Sequence, residues 1–454
     1  MKDLSERLAS QGVHNLVAQF TDLLGVARGK FVPLAHMDDL LTDGVPFSGP
    51  SIQGSGLPRT GPRSEFWARG AASTACALPW MPGYARVVCD GFVDGEPYEG
   101  CVRQVLRRQV ARLAARGWHL RAGMEPEFFL LKRVDGQWQP ADTSDRLQMP
   151  AYDLKSLPRQ REFLQGLQKA LEECGLDVAQ IDHEDARGQF EVNFGADEVL
   201  SSADNVMLFK QAAHALAEDR KLTFSMMPRP FADQPGSGMH FHVSLWSGIA
   251  PDRHGNSRNL FVPHRADSPF DPAAWLSPMA QHFTAGVLAH SAALSAIAAP
   301  TVNSYKRRVQ DPSAADSGWA ATCVAQGPAN RTALIRTLRG RIEWRLPDAS
   351  ANPYLAAAAL IAAGLDGIER QLPLPPDVTD DLFALTPEQI QAQGLQLLPR
   401  HLADALDALA ADEVITGALG PVLTTQFLRI KRSEFRAWAD HVSQWELDRY
   451  ATAF

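Results

Sequence analysis

A mixed fold of helices and strands in two lobes is what this sequence predicts, on three observations. Three stretches far apart in the chain, Glu125-Pro126-Glu127, His240-Phe241-His242-Val243-Ser244 and Arg341-Ile342-Glu343-Trp344-Arg345, repeat charged residues at a spacing of two among apolar β-formers. That is the period of strands whose alternate positions share a face. Between and after them lie helical patterns, which gives a large lobe of helices alternating with strands. The first hundred residues are instead rich in short strands and turns.

Taken in order, residues 13–20 and 85–89 predict strands, and the Gly/Pro/Ser-rich stretch 46–62 predicts a loop. Over residues 101–117, Val102, Val105, Leu106, Val110 and Leu113 recur at helical spacing and lead into the Glu125 strand, placing a boundary near residues 105–120. Beyond it, residues 162–174, 203–222, 279–299, 356–370 and 399–411 read as helices, and 247–272 and 371–379 as loops. No fixed-period repeat is visible.

At 454 residues, with 45% hydrophobic content, the chain is long enough for two or three domains and a sizeable core. A net charge of -8 without a basic block argues against a nucleic-acid surface. Five cysteines, Cys76, Cys89, Cys101, Cys174 and Cys323, are scattered without a Cys-x-x-Cys pair, as reduced thiols of a cytoplasmic protein would be. The first residues are polar and amphipathic, and no apolar run approaches membrane-spanning length. A cytoplasmic protein without a membrane partner is the expectation.

The three polar strands predict three walls of one cation-binding cleft. A fourth stretch, His183-Glu184-Asp185-Ala186-Arg187-Gly188-Gln189-Phe190-Glu191, sets two carboxylates either side of a glycine-containing turn. Five glutamates (Glu125, Glu127, Glu184, Glu191, Glu343) and His240 converging on one point would need a metal, and a mostly oxygen shell without thiolate suits Mg²⁺ or Mn²⁺. Singly, each motif has a plainer reading: a Glu pair on a strand is usually a solvated edge, His-x-His is as often structural, and Arg-x-Glu-x-Arg is more often a salt-bridge ladder. Their joint occurrence with apolar flanks shifts the balance. No Gly-x-x-x-x-Gly-Lys-Ser/Thr loop and no Gly-x-Ser-x-Gly elbow is present, which argues against a P-loop ATPase and an α/β-hydrolase without excluding ATP. Gly54-Ser55-Gly56 and Pro235-Gly236-Ser237-Gly238 read as turns, the second of interest because it directly precedes His240.

Specific motifs now carry a resemblance. Glu125-Pro126-Glu127-Phe128-Phe129, Gly236-Ser237-Gly238-Met239-His240-Phe241-His242, Asn303-Ser304-Tyr305-Lys306-Arg307 and Pro347-Asp348-Ala349-Ser350-Ala351-Asn352-Pro353-Tyr354-Leu355 resemble the glutamine synthetases and their γ-glutamyl-amine ligase relatives. Matching stretches run from Phe20 to Tyr450. The resemblance implies an α+β fold, with an N-terminal β-grasp domain at residues 1–110. Residues 111–454 would be a C-terminal catalytic domain, an antiparallel sheet with helices. It also implies a homododecamer of two stacked hexameric rings with active sites between neighbouring subunits. The implied activity is ATP-dependent ligation of an amine to the γ-carboxylate of L-glutamate, with two or more Mg²⁺ or Mn²⁺ ions per site. By similarity, Glu127, Glu184 and Glu191 hold one ion and Glu125, His240 and Glu343 the second. Arg307 clamps the glutamate α-carboxylate, with Gly236 in the same pocket, and Arg345 lies near the γ-carboxylate. Arg331, Arg336 and Arg341 contact phosphates, while His242 and Ser244 resemble ATP-binding positions. A structural salt bridge is the other reading of Arg336.

Departures from the ammonia-using pattern point to the amine branch. Phe47-Ser48-Gly49-Pro50-Ser51 stands where ammonia-using relatives carry Phe-Asp-Gly-Ser-Ser, and Ser313 stands at their flap glutamate, with Asp311 and Asp316 nearby. Glu65 replaces an aspartate of the same neighbourhood. A pocket relieved of carboxylates, with Trp67 and Trp319 close in sequence, suits an amine bearing an apolar group better than bare ammonium. The stretches 79–91 and 180–191 are similar to γ-glutamylmethylamide synthetases, although Ala315-Asp316-Ser317-Gly318-Trp319 departs from the Ser-Gly-Ala-Thr-Trp form of that subgroup. Pro235 replaces a glutamate-contacting asparagine, and Phe383 takes the place of the tyrosine that enterobacterial-type enzymes adenylylate. The alternatives are a glutamine synthetase proper, a non-catalytic structural or regulatory relative, and a two-metal hydrolase that needs no ATP.

Overall fold

The computed structural model describes residues 2–248, 257–263, 271, 275–308 and 319–454. The first sheet consists of β1 (Asn15–Thr21), β2 (Ala27–Pro33), β3 (Val45–Ser48), β4 (Glu65–Gly70), β5 (Cys76–Ala77), β6 (Tyr84–Val93) and β7 (Glu96–Pro97). Its order is β2-β1-β6-β4-β3, with β5 and β7 also paired to β6. β1 and β6 run parallel and the other pairs antiparallel. Helices α1 (Lys2–Ser10) and α2 (Met37–Thr42) accompany it, and Leu8, Leu16, Phe20, Leu40, Phe66 and Val87 fill its core. One expectation is corrected: the stretch 46–62 is not all loop, because Pro46–Ser48 belong to β3. A Pro at an edge strand, paired on one side only with β4, costs no ladder bond.

The second sheet has at its centre the 17-residue β8 (Trp118–Val134). It further contains β9 (Gln137–Pro140), β10 (Val178–His183), β11 (Gln189–Phe194), β12 (Asp197–Glu198), β13 (Thr223–Ser225), β14 (Met239–Ser247), β15 (Gln326–Pro328), β16 (Ile335–Leu338) and β17 (Arg341–Trp344). The order is β10-β11-β8-β14-β17-β16-β15, antiparallel except for β15 and β16. Helices α3 (Val102–Ala114), α4 (Arg161–Glu173), α5 (Val199–Asp219), α6 (Pro278–Ala289), α7 (Ser291–Ala298), α8 (Val302–Lys306) and α9 (Pro353–Glu369) follow. The chain closes with α10 (Pro387–Ala392), α11 (Leu402–Ala411), α12 (Glu413–Leu419), α13 (Pro421–Ala439) and α14 (Gln444–Tyr450).

Leu120, Ala122, Met124, Phe128 and Leu130 of β8 pack in one core cluster with Leu164, Phe209 and the apolar residues of α9. The alanines of α9 are wholly buried, which lets neighbouring helices approach closely: a Cβ on Gly364 would lie 2.1 Å from the Phe283 ring, and one on Gly367 2.1 Å from the His282 carbonyl. The single helix expected over 279–299 is two helices, broken at His290 (φ −95°, ψ 6°). The imidazole of His290 is held between Asp412 and Asp366, and this anchorage accompanies the break. The expected loop 371–379 carries no strand or helix, and most of 247–272 lies outside the described residues. No helix among the described residues is long and apolar enough to cross a membrane.

Candidate active site

Strand register assembles the site. Antiparallel pairing sets His240 of β14 opposite Glu125 of β8, and Glu343 of β17 opposite His242. On the other flank of β8, Glu191 of β11 stands opposite Glu127; beyond β17, Arg336 of β16 stands opposite Glu343. Paired residues in a sheet share a face, so five adjacent strands aim these groups at one side. The reverse face of β8 is core, and a slip of one residue would bury the carboxylates against it.

Glu184 arrives by a different route. It follows β10, and the turn back into β11 uses Gly188 at φ 73°, the left-handed region that favours glycine. A wholly buried pair lies beneath: His183 Nε2 is 2.9 Å from Asp145 Oδ2, which also accepts from the Gly188 amide at 2.9 Å. His183 Nδ1 is 2.8 Å from the Glu184 carbonyl. The turn that presents Glu184 is therefore bonded on both sides.

The cleft so formed has a volume of about 560 Å³. Glu125, Glu127, Glu184, Glu191, His240, His242 and Glu343 line it together with Gly236, Arg307, Arg331, Arg336, Arg341 and Arg345. Side-chain ends crowd the floor: a Cβ on Gly238 would fall 2.7 Å from Arg307 Nη2, 2.8 Å from His240 Nε2 and 2.9 Å from Glu127 Oε1, and would push these groups apart. A guanidinium, an imidazole nitrogen and a carboxylate thus converge over a residue with no side chain. A Cβ on Gly236 would meet the Pro228 carbonyl at 2.1 Å.

Electrostatics divide the cleft. Burial pushes Glu184 up to about 8, helped by the charges of Glu127 and Asp185. Glu191 is held well above the usual carboxylate range by burial and then by Glu127 and Glu184. Glu127 is raised by burial, against the pull of Arg307. At the other end, burial would raise Glu343, but Arg345, His242 and Arg336 outweigh it and hold the carboxylate low. Arg336 Nη1 donates to Glu343 Oε2 at 2.7 Å and Arg345 Nη1 to Oε1 at 2.5 Å, so Arg336 does form a salt bridge, and it does so inside the cleft. Burial, with Arg345 and Arg307 nearby, keeps His240 neutral, its pKa well below the usual value.

These properties fit a divalent cation. Three buried carboxylates resist ionising together, and a dication in their midst would reverse that penalty. His240 Nε2 is buried without a hydrogen-bond partner. Glu125, His242 and Glu343 offer ligand atoms all within 4.8 Å of one another. His242 Nε2 lies 3.2 Å from Glu125 Oε1, whereas His240 turns Nδ1 toward Glu343 Oε1 at 3.6 Å. Both histidines therefore border Glu343, and it is His242 that closes the compact triad. Arg307, 5% exposed, forms no ion pair among the described residues and faces into the cleft.

Other expected residues fall elsewhere. Ser244 accepts a hydrogen bond from Trp246 Nε1 at 2.9 Å and does not line the cleft. Ser48 and Glu65 are register partners on β3 and β4 of the first sheet, both exposed, and neither lines the cleft of its own chain. Trp67 also lies on β4, paired with Pro46. Gly54 and Gly56 are a turn with positive φ beside that sheet. Ser313, Asp311 and Asp316 lie outside the described residues. Trp319 and Pro235 do line the cleft, and the Trp319 ring meets the largely buried Phe383 ring at 6.1 Å.

The structure adds groups that sequence reasoning passed over. Gln189 Nε2 donates to Glu127 Oε2 at 3.0 Å, and Asp182, Asp185 and Tyr152 join the lining. Gln189 shares the period of two with Glu191, a signal that could have found it. Asp145 lies in a stretch without periodicity, and nothing local marks it.

With this geometry in place, a family model described as glutamine synthetase, catalytic domain, matches residues 99–450. The chain belongs to the glutamine synthetase family. Within it, the chain is 44% identical to the glutamate–methylamine ligase of Methyloversatilis universalis, covering 98% of both proteins. It is 36% identical to the glutamine synthetase of Halobacterium salinarum, covering 98% of this chain and 95% of that one. The solved GmaS/ADP complex in its conformation 1 superposes with a TM-score of 0.89 at 33% identity, covering 99% of this chain and 100% of that chain. For this family member, the mixed helix-and-sheet architecture and its N-terminal sheet are those of a glutamine-synthetase-type protein.

Proposed function

We propose that this ATP-dependent carbon–nitrogen ligase joins the γ-carboxylate of L-glutamate to a small alkylamine, methylamine or one close to it, giving a γ-glutamylamide, ADP and phosphate. A carboxylate cannot expel oxide. Transfer of the ATP γ-phosphoryl group to the glutamate γ-carboxylate creates γ-glutamyl phosphate, and attack by the amine then releases phosphate. Arg307 binds the α-carboxylate with its planar fork beside Gly236, and Arg345 faces the γ-carboxylate. Arg331, Arg336 and Arg341 neutralise phosphate charge from the β16–β17 side, with His242 toward the nucleotide. Glu127, Glu184 and Glu191 would hold one ion and Glu125, His240 and Glu343 another, and such ions supply charge neutralisation on the transferring phosphoryl group.

What carries the chemistry is a single cleft lined by five glutamates, two histidines and a buried Arg307 without an ion-pair partner among the described residues. The 44% identity to a glutamate–methylamine ligase supports the choice of amine, as does serine at position 48. In this reading residues 1–110 and 111–454 are separate domains, and Ser48, Glu65 and Ser313 shape the amine pocket. Ser48 and Glu65 would do so from a neighbouring copy in a homododecamer, since they miss the cleft of their own chain. One observation favours ammonium instead: Glu65 is the register partner of Ser48 and could replace the missing acid. The test is ADP release from ATP and L-glutamate with Mg²⁺ or Mn²⁺, comparing ammonium, methylamine, ethylamine and a polyamine, with product mass confirmed. Preference for a small alkylamine supports the proposal; preference for ammonium makes the protein a glutamine synthetase proper.

A further inference from the structure

Two of the five cysteines stand apart from the others. Cys89, Cys101 and Cys323 are buried, and burial pushes each of these thiols up, leaving them unreactive. Cys76 and Cys174 are only part-buried. They lie 98 positions apart in sequence, yet the Cys76 sulfur is 3.7 Å from the Cys174 carbonyl oxygen, and the Cys174 sulfur is 3.5 Å from the carbonyl of Ala77. This reciprocal placement brings the two thiols into side-chain contact. Cys76 sits on β5, paired with Arg86 of β6, while Cys174 caps the C-terminal end of α4.

The two thiols are chemically unequal. The neighbouring Cys174 side chain, with the charges of Arg86 and Arg7, draws Cys76 below its usual value against the effect of burial. Cys174 is pushed the other way, chiefly by the Cys76 side chain beside it and then by burial. A thiolate-leaning sulfur beside a protonated one is the arrangement of an attacking and a resolving cysteine.

We propose that Cys76 and Cys174 are a peroxide-responsive pair that closes into a reversible disulfide between the N-terminal sheet and the catalytic sheet's helical layer. The Cys76 thiolate attacks one oxygen of hydrogen peroxide, the O–O bond breaks, and hydroxide leaves, giving a sulfenic acid. Cys174 sulfur then attacks the Cys76 sulfur, the S–O bond breaks, and water leaves with the proton of the thiol. In sum, two thiols and one peroxide give one disulfide and two waters, and a dithiol reductant returns both thiols by exchange. The bond would tie β5 to the end of α4, and β10, which leads into Glu184, begins just beyond at Val178.

The purified full-length protein, reduced and then treated with a small excess of hydrogen peroxide, tests this by peptide mapping and by the melting temperature. Expected is one cross-linked species, lighter by two hydrogens, joining the peptides of Cys76 and Cys174, with a melting temperature a few degrees higher than after dithiothreitol. Cys174→Ser should lose the cross-link and instead leave a sulfenic acid at Cys76 that dimedone traps; Cys76→Ser should show neither. Both variants, when reduced, should melt close to the reduced parent, which shows that they fold. Peroxide-treated protein in which Cys76 and Cys174 both remain thiols, or in which dimedone labels other cysteines while the pair stays unlinked, overturns the proposal.

Discussion

Glu343 is the residue on which most of the cleft's charge converges. Its two oxygens accept from Arg336 and Arg345, and both histidines lie within 4.0 Å. Glu343→Gln keeps the shape and removes the charge, so the fold should survive while ADP release with the full substrate set falls by at least about 100-fold, near 3 kcal/mol of barrier. Unchanged turnover in a steady-state assay would show that this carboxylate is not part of the machinery. The opposite end of the cleft makes a prediction about protons. Glu184, with its pKa pushed up to about 8, carries a proton at pH 7 when no cation is present, and an ion can bind only its carboxylate form. Mg²⁺ or Mn²⁺ binding to chelator-treated protein should therefore release protons at pH 7, read by calorimetry as a binding enthalpy that depends on the buffer's ionisation enthalpy. The dependence should weaken as pH rises through about 8, where Glu184 ionises before the ion binds. A buffer-independent enthalpy at pH 7 would place the ions elsewhere.

Between elements, His290 does what no periodicity announces. Apolar residues run through residues 279–299 as if in one helix, and the period-two motifs placed β8, β14 and β17 correctly because each has one face in the core and one in the cleft. Local pattern reports burial. It does not report a contact between residues more than a hundred positions apart, such as His290 Nδ1 to Asp412 Oδ2 at 2.6 Å. Nor does it report nearer tertiary contacts, such as Asp145 with His183 or the join of β3 to β4, whereas every cleft-lining glutamate was legible. Burial pulls the His290 imidazole down, but its bonds to Asp412 and Asp366 outweigh this and leave its pKa raised. A pKa raised on folding contributes stability that is fully present below the unfolded value of about 6.5 and is lost as pH rises through the folded value. His290→Ala should thus cost about 1–2 kcal/mol at pH 6 and distinctly less at pH 9. Denaturant titrations at the two pH values check this, and an equal cost at both would mean that packing, not charge, holds the break.

At the scale of the molecule, the first sheet and the catalytic lobe meet through a buried ion cluster. Arg103 of α3 reaches Asp90 of β6 at 2.8 Å and Asp204 of α5 at 2.8 Å, and Tyr354 of α9 donates to Asp204 at 2.7 Å. Arg103→Met would strip the buried Asp204 of its counter-charge and leave Asp90 only the more exposed Arg107, and should cost about 3–5 kcal/mol, seen as a lower melting temperature. This join fixes the first sheet away from the cleft of its own chain, leaving Ser48 and Glu65 exposed. If they act on the amine, they must do so in the cleft of another copy, and that geometry has a consequence no single-chain site shares. A variant disabled in the cleft, Glu343→Gln, and one disabled on the first sheet by a bulky replacement such as Ser48→Trp each lack activity alone for different reasons. Dissociated and reassembled together in equal amounts, they should regain activity in roughly a quarter of the sites, those that pair an intact cleft with an intact first sheet. A mixture no more active than either parent would place each active site within one chain, and Ser48 and Glu65 would then have no part in choosing the amine.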